Sequence, residues 1–316
     1  MKLVSIVIGV YNSEKTITSV VNEIEDVFRN SKYDYEIILV NDCSPDGVYE
    51  IIKDLANKNK RIKALKLAKN SGQTNAVVEG YKYAKGDYVV EMDDDYQMPA
   101  TQIIPMVELL EQGDYDVVFA KYKQKQESPF RLFGSKINAK MTEILLGRPK
   151  NIEINSFFVM RKFVADTIAK YASNYPYLYG IIFSVTKNVA NLEMEHRPRT
   201  NGKSNYTFSK LLGLWMNGFL NYSVAPLRIS TYMGFLITLV SFIFAIILVI
   251  QRLLYPTKSM GWTSIMVMMI LFSGIILMSI GILGEYLGRL FISSSGLPRT
   301  TVKETINIDK EEKENE

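Results

Sequence analysis

Three consecutive aspartates, Asp93-Asp94-Asp95, follow the apolar run Val89-Val90-Glu91-Met92. In an extended segment residues i and i+2 face the same way, so Asp93 and Asp95 point together and Asp94 points away. Two convergent carboxylates repel unless a cation joins them. Hard oxygen ligands suit Mg²⁺ or Mn²⁺, ions that commonly bridge to phosphates. Gln97 lies two residues on and can add a carbonyl oxygen. The plain alternative is a solvated acidic turn, but a buried strand just before the acids favours the metal. Other chemistries lack their residues. His196 is the only histidine and Cys43 the only cysteine, which leaves no zinc spacing and no histidine beside a nucleophile elbow. Neither a Walker-A loop nor a G-x-G-x-x-G turn is present, which excludes a P-loop NTPase and a dinucleotide enzyme.

The surrounding elements explain how such acids are placed. Apolar, β-branched runs predict strands over residues 3–10, 36–40, 62–67, 87–92 and 116–121. Helical spacing predicts helices over 13–28, 48–57, 72–84 and 101–111. Strands alternating with helices mean an α/β domain with a mainly parallel sheet, and such sheets bind ligands beyond the carboxyl ends of their strands. Polar clusters stand at four of those ends: Tyr11-Asn12-Ser13-Glu14, Asn41-Asp42-Cys43-Ser44, Asn70-Ser71-Gly72 and the aspartates. All four should meet at one edge of one sheet.

Averages over the 316 residues are bland: 47% hydrophobic, 22% charged, net charge +4 and mean hydropathy +0.03. They exclude a disordered chain, a collagen-like fibre and a disulfide scaffold. With 33 acids against 37 bases, no field for nucleic acid is implied. The average hides a partition. Residues 229–251 and 259–284 carry no charge, and each window is long enough to span a bilayer as a helix. Only residues 252–258 separate them, with Tyr255-Pro256 as a turn, so the pair reads as a transmembrane hairpin. Arg197, Arg199, Lys203, Lys210 and Arg228 precede it, and Arg289, Arg299 and Lys303 follow it, which places both long ends in the cytoplasm at the inner or plasma membrane. The N-terminal Met-Lys-Leu-Val-Ser-Ile-Val-Ile reads as a strand rather than a secretory signal. Residues 128–146 and 206–228 mix aromatic and aliphatic residues with Arg131, Lys136, Lys140 and Lys210, the pattern of interfacial amphipathic helices. The expected organisation is a catalytic domain over 1–205, a juxtamembrane helix over 206–228, two spans within 229–284 and a cytoplasmic tail over 285–316. From residue 301 that tail holds three lysines and six acids, which predicts a solvated, disordered end.

The motifs together resemble family-2 glycosyltransferases of the GT-A fold, a Rossmann-like nucleotide-diphospho-sugar transferase architecture. More closely they resemble polyprenyl-phosphate glycosyltransferases such as bactoprenol glucosyltransferases and dolichol-phosphate mannose synthase. Ser5-Ile-Val-Ile-Gly-Val-Tyr-Asn-Ser-Glu14 resembles the family's S-V-V-x-P-x-Y-N-E-E, and Glu36-Ile-Ile-Leu-Val-Asn-Asp-Cys-Ser-Pro-Asp-Gly47 its E-I-x-x-V-D-D-G-S-x-D-G. Glu91-Met-Asp-Asp-Asp-Tyr-Gln-Met-Pro99 resembles x-M-D-A-D-L-Q-D-P, and Arg199-Thr-Asn-Gly-Lys-Ser-Asn-Tyr206 resembles R-x-x-G-x-S-x-Y. Ala225-Pro-Leu-Arg228 is similar to the segment before the membrane. Gly9 stands where proline is usual, Asn41 and Cys43 replace an aspartate and a glycine, and Asn155-Ser-Phe-Phe158 lacks the arginine of G-S-F-R. None of these departures removes a metal ligand.

The resemblance implies inverting transfer of a sugar from a nucleotide sugar, UDP-glucose being the commonest family case, to undecaprenyl phosphate or a related polyprenyl phosphate. Such a product donates sugar to cell-envelope glycans. Val10, Tyr11, Glu14, Asp42 and Asp94 would form the nucleotide pocket, with Asp42 reading the base. Asp93, Asp95 and Gln97 would hold Mg²⁺ or Mn²⁺. Arg199 and Ser204 would close over phosphate, and Lys121 and Arg131 would meet the lipid phosphate. Relatives also imply homo-oligomers, dimers or tetramers. The phosphate nucleophile is largely anionic at neutral pH, its second pKa being about 6, so a strong general base is less necessary. Two other readings stand beside this one. A processive polysaccharide synthase of the same fold should show Q-x-x-R-W and more spans, and neither is seen. A non-catalytic two-span membrane subunit would not need intact Asp93, Asp95 and Gln97.

Overall fold

Strands β1 (Leu3–Val10), β2 (Asp34–Asn41), β3 (Ile62–Leu67) and β4 (Tyr88–Glu91) run parallel, side by side in the order β3-β2-β1-β4. This is a computed structural model, and it describes residues 1–122, 143, 147–171, 177–194, 225–254, 262–294 and 298–308. β-Branched residues fill these strands, and Val4, Ile6, Val7, Ile8 and Val10 of β1 are all fully buried. A strand buried on both faces is what a continuous apolar run predicts.

Helices α1 (Ile17–Arg29), α2 (Val48–Lys58), α3 (Gln73–Tyr81) and α4 (Ile103–Gln112) cross between the strands, α4 after a short 3₁₀ turn at Ala100–Gln102. Helix α1 starts later than the expected residue 13. The Ser13 carbonyl accepts the amides of both Thr16 and Ile17, so a turn precedes the helix. The Thr16 hydroxyl donates to the Asp94 carbonyl at 2.6 Å instead of capping α1.

The sheet grows beyond the strands read from the sequence. β5 (Val117–Tyr122) is the fifth strand expected from the sequence, and β6 (Phe158–Arg161), β7 (Val189–Met194) and β8 (Val302–Ile306), which were not, complete the order β7-β5-β6-β4-β1-β2-β3-β8. β6 lies antiparallel between β4 and β5, and β7 runs parallel to β5, so the sheet is mixed and mostly parallel. Helices α5 (Lys162–Lys170) and α6 (Leu178–Val185) follow β6.

β8 corrects the expectation of a disordered end from residue 301. It pairs antiparallel with β3, with Ala64 opposite Ile306, Leu65 opposite Thr305 and Leu67 opposite Val302. The edge of β3 offers unpaired backbone groups, and a short run with Val302 and Ile306 satisfies them despite its charge. Asn307, at φ 59°, then turns back so that its Nδ2 donates to the carbonyls of Ala56 and Ile62. Charge composition describes solvation and says nothing of an edge that needs a partner.

The chain divides into two units, Met1–Tyr206 with Pro298–Glu316, and Thr207–Leu297. The second contains helices α7 (Ala225–Leu254) and α8 (Trp262–Ser294). Phe272–Ile292 is long and apolar enough to cross a membrane, and among the described residues it alone meets that measure; Gly234–Phe244 is a shorter apolar stretch. The expected second window ended at 284, whereas α8 continues through Glu285 and Arg289. At 1.5 Å per residue such a helix is about 50 Å long, more than the ~30 Å of a bilayer core. Its Leu277, Met278 and Phe291 are 68%, 71% and 73% exposed, apolar surface suited to lipid.

Candidate active site

The ends of β1 to β4 carry the predicted polar clusters, and hydrogen bonds tie these clusters to one another. The Tyr11 amide donates to Asp94 Oδ2 at 2.9 Å, joining the β1 and β4 ends. The Asn12 amide donates to Ser44 Oγ at 2.9 Å and the Glu14 amide to Asp46 Oδ2 at 3.1 Å, joining β1 to β2. Asn12 and Cys43 take φ values of 55° and 52°, so each loop turns sharply just past its strand. Glu14 Oε2 accepts the Gly47 amide at 3.2 Å, a carboxylate at the start of α2, where the helix dipole favours it. Val10 is buried at the base of this cluster, and its carbonyl accepts the Asp42 amide.

Asp42 joins the second end to the third. Its Oδ1 accepts the Ser71 amide at 2.7 Å and its Oδ2 the Gly72 amide at 2.8 Å. Burial pushes its carboxyl above the ordinary value, and the two amides oppose that shift. Gly72 stands at φ 87° and ψ 149°, a conformation open to glycine. It lets the chain present two successive amides to one carboxylate before α3 begins.

Asp93 is held from two sides. Gln73 Nε2 donates to Oδ1 at 2.6 Å, and Ser156 Oγ donates to Oδ2 at 3.1 Å. Burial first, and the neighbouring Asp95 charge second, push the Asp93 carboxyl up to about 6. Asp95 Oδ1 accepts the Gln97 amide at 3.2 Å, which turns the loop back on itself. Tyr122, at the end of β5, is pushed up to about 12 by burial and by the charges of Asp93 and Asp95, so its hydroxyl keeps its proton. Beneath the acids, Glu91 is fully buried and accepts the Tyr81 hydroxyl. Burial pushes Glu91 up to about 8, which favours its protonated form.

This donor set fits a divalent cation. The Asp95 charge raises the proton affinity of Asp93, a repulsion that a cation would relieve. No group of three His, Cys, Asp or Glu side chains converges among the described residues.

Lys121 lies one residue before Tyr122, and its ammonium meets Glu193 Oε1 at 2.9 Å. Arg131, Arg199 and Ser204 lie outside the described residues, as do most of 128–146 and all of 206–224. Sequence reasoning missed Gln73, Ser156 and Tyr122. Gln73 follows the Gly72 turn and was within reach of the loop argument. Ser156 stands in the Asn155-Ser-Phe-Phe158 motif, but its reach to Asp93 gave no signal, because the pairing of β6 beside β4 is a tertiary event.

Residues 5–169 match the model of glycosyl transferase family 2. The chain is 31% identical over 310 residues to the uncharacterized glycosyltransferase YkcC of Bacillus subtilis, covering 96% of this chain and 94% of that protein. It is 29% identical over 317 residues to the undecaprenyl-phosphate 4-deoxy-4-formamido-L-arabinose transferase of Proteus mirabilis, covering 99% and 97%. Among solved structures, mannosyl-3-phosphoglycerate synthase from Rubrobacter xylanophilus superposes with a TM-score of 0.54 at 15% identity, over 72% of this chain and 74% of that one. Glucosyl-3-phosphoglycerate synthase from Mycobacterium tuberculosis, crystallised with Mn²⁺, UDP and phosphoglyceric acid, gives 0.53 at 17% identity, over 69% and 78%. The mixed, mostly parallel sheet is thus the GT-A glycosyltransferase fold, and the chain belongs to glycosyl transferase family 2.

Proposed function

We propose that this protein transfers a hexose, with inversion, from a nucleotide sugar such as UDP-glucose to undecaprenyl phosphate or another polyprenyl phosphate at the cytoplasmic membrane face. The lipid-linked sugar then serves cell-envelope glycan modification. The observation that carries this reading is the Asp93–Asp95 pair at the meeting point of four loops, in a chain whose helix α8 contains an apolar stretch long enough to cross a bilayer.

The nucleotide lies along Val10, Tyr11, Glu14 and Asp94, with its base toward Asp42. Both Asp42 oxygens accept backbone amides, and each keeps a further lone pair for a base donor. Asp93, Asp95 and Gln97 would hold Mg²⁺ or Mn²⁺, which would supply Lewis-acid stabilisation to the diphosphate. Arg199 adds a second positive charge there. Lys121, Arg131 and Ser204 receive the acceptor phosphate, Lys121 exchanging Glu193 for it. The acceptor oxygen is already anionic, so no residue need remove a proton from it.

The acceptor's long chain accounts for the membrane unit. β8 and Pro298 belong to the same unit as residues before 207, and β8 pairs with β3 in one sheet. One sheet does not straddle a bilayer, so the intervening chain crosses an even number of times. That supports two spans, within residues 229–251 and 259–284 extended by the longer α8, with both ends cytoplasmic and hairpins free to associate as dimers or tetramers.

The test is incubation of membranes with labelled nucleotide sugars, undecaprenyl phosphate and Mg²⁺ or Mn²⁺. A chloroform-soluble labelled lipid is expected, lost on chelation and lost in Asp95→Ala, which still inserts. Full turnover in Asp95→Ala would sink the metal assignment. Long polymer would point to a processive synthase, and nucleotide binding without product from any donor would point to a non-catalytic subunit.

A further inference from the structure

We propose that Gln73 and Ser156 are positioning residues that fix the Asp93 carboxylate for cation capture, an inference that rests on the metal reading above. Each donates to a different oxygen of the same carboxylate, Gln73 Nε2 at 2.6 Å and Ser156 Oγ at 3.1 Å. They reach it from separate elements, Gln73 as the first residue of α3 and Ser156 from the segment entering β6. A carboxylate gripped at both oxygens cannot rotate about its terminal bond, yet each oxygen retains a lone pair for an ion. Both donors are neutral, so Asp93 keeps its charge for the cation. A lysine or arginine in either place would compete for it.

The two donors are themselves held in place. The Gln73 backbone follows Ser71 and Gly72, whose amides Asp42 binds, and Asn75 Nδ2 donates to the Ser71 carbonyl at 2.8 Å. On the other side, Asn155 Oδ1 accepts the Phe157 amide at 3.1 Å, and the Phe157 ring is fully buried. Donors on rigid elements hold a ligand within the narrow geometry that ion binding needs. One consequence is a physical connection between the two ends of the donor site. Asp42, at the base end, sets the loop that carries Gln73 to Asp93, at the diphosphate end.

The experiment uses the full chain in detergent, with Mn²⁺ titrated in the presence of UDP and free Mn²⁺ read by electron paramagnetic resonance. Gln73→Leu and Ser156→Ala should each raise half-saturating Mn²⁺ about 10–100-fold, the usual effect of removing a partner that orients a ligand. Ser156→Thr, which keeps the hydroxyl, should restore tight binding. A merely structural role would lower the melting temperature without moving the Mn²⁺ midpoint. If both variants bind Mn²⁺ like wild type while Asp95→Asn has lost it, the positioning role is wrong and the metal reading stands. If wild type binds no more Mn²⁺ than Asp95→Asn, the metal reading fails and this inference falls with it.

Discussion

The Asp42 carboxylate accepts the backbone amides of Ser71 and Gly72, and the contact works because the second of these residues is a glycine. Gly72 at φ 87° has nothing within 4 Å of where a Cβ would sit, so a substitution there meets only backbone strain. Gly72→Ala should therefore cost about 1–3 kcal/mol of stability. It should also raise the donor KM, because the loop that presents Ser71 and Gly72 to Asp42 shifts. A denaturant midpoint and a donor titration check both effects. An unchanged KM at reduced stability would detach this loop from donor binding. Asp42 was legible in the sequence as a polar residue past a strand end. That its oxygens hold the third loop was not, because the partners are amides and amides have no residue signature.

At the scale of elements, β8 and the residues before it clasp the catalytic sheet. The Thr300 hydroxyl donates at 2.5 Å to Glu79 Oε2 on α3, a carboxylate 1% exposed that also pairs with Lys82 at 2.8 Å. Arg299 reaches the carbonyls of Ala169 and Tyr171 at the end of α5. Thr300→Val leaves Glu79 buried with one donor fewer and should cost about 1–3 kcal/mol. Thermal unfolding of the variant would show it, and Thr300→Ser should recover most of the loss. A second element contact depends on pH. Glu111 on α4 accepts Lys2 at 2.9 Å, the Tyr88 hydroxyl at 2.7 Å and the Tyr33 hydroxyl at 2.8 Å. Burial alone would raise its carboxyl, but these three donors outweigh burial and hold it at about 2, below the ordinary 4.5. A depressed carboxylate stabilises the fold fully above about pH 4.5 and loses that contribution as pH falls toward 2. Glu111→Gln should unfold at lower urea than wild type at pH 7, and the gap should narrow below pH 4.5.

At the scale of the whole molecule the chain forms two units, and it leaves the sheet-centred one after Tyr206 and re-enters it at Pro298. With an even number of crossings between them, residues before 206 and after 298 should lie on the same side of the membrane. Single cysteines placed in a Cys43→Ser background at Lys60 and at Lys303, labelled with a membrane-impermeant maleimide in sealed inverted vesicles, should both react. Protection of one and labelling of the other would refute the paired spans.

Local pattern alone determined the parallel strands, the polar clusters at their ends and the uncharged windows, because period-2 burial, turn chemistry and long apolar runs are written in neighbouring residues. The acids at 93–95 were legible for the same reason. Only the tertiary structure decided that β6 enters between β4 and β5, that Ser156 thereby reaches Asp93, and that an acidic tail supplies an edge strand to β3. Those outcomes depend on which distant backbone edge lacks a partner. Hydrogen-bond supply and demand of that kind is settled between elements far apart in the chain, where no local pattern records it.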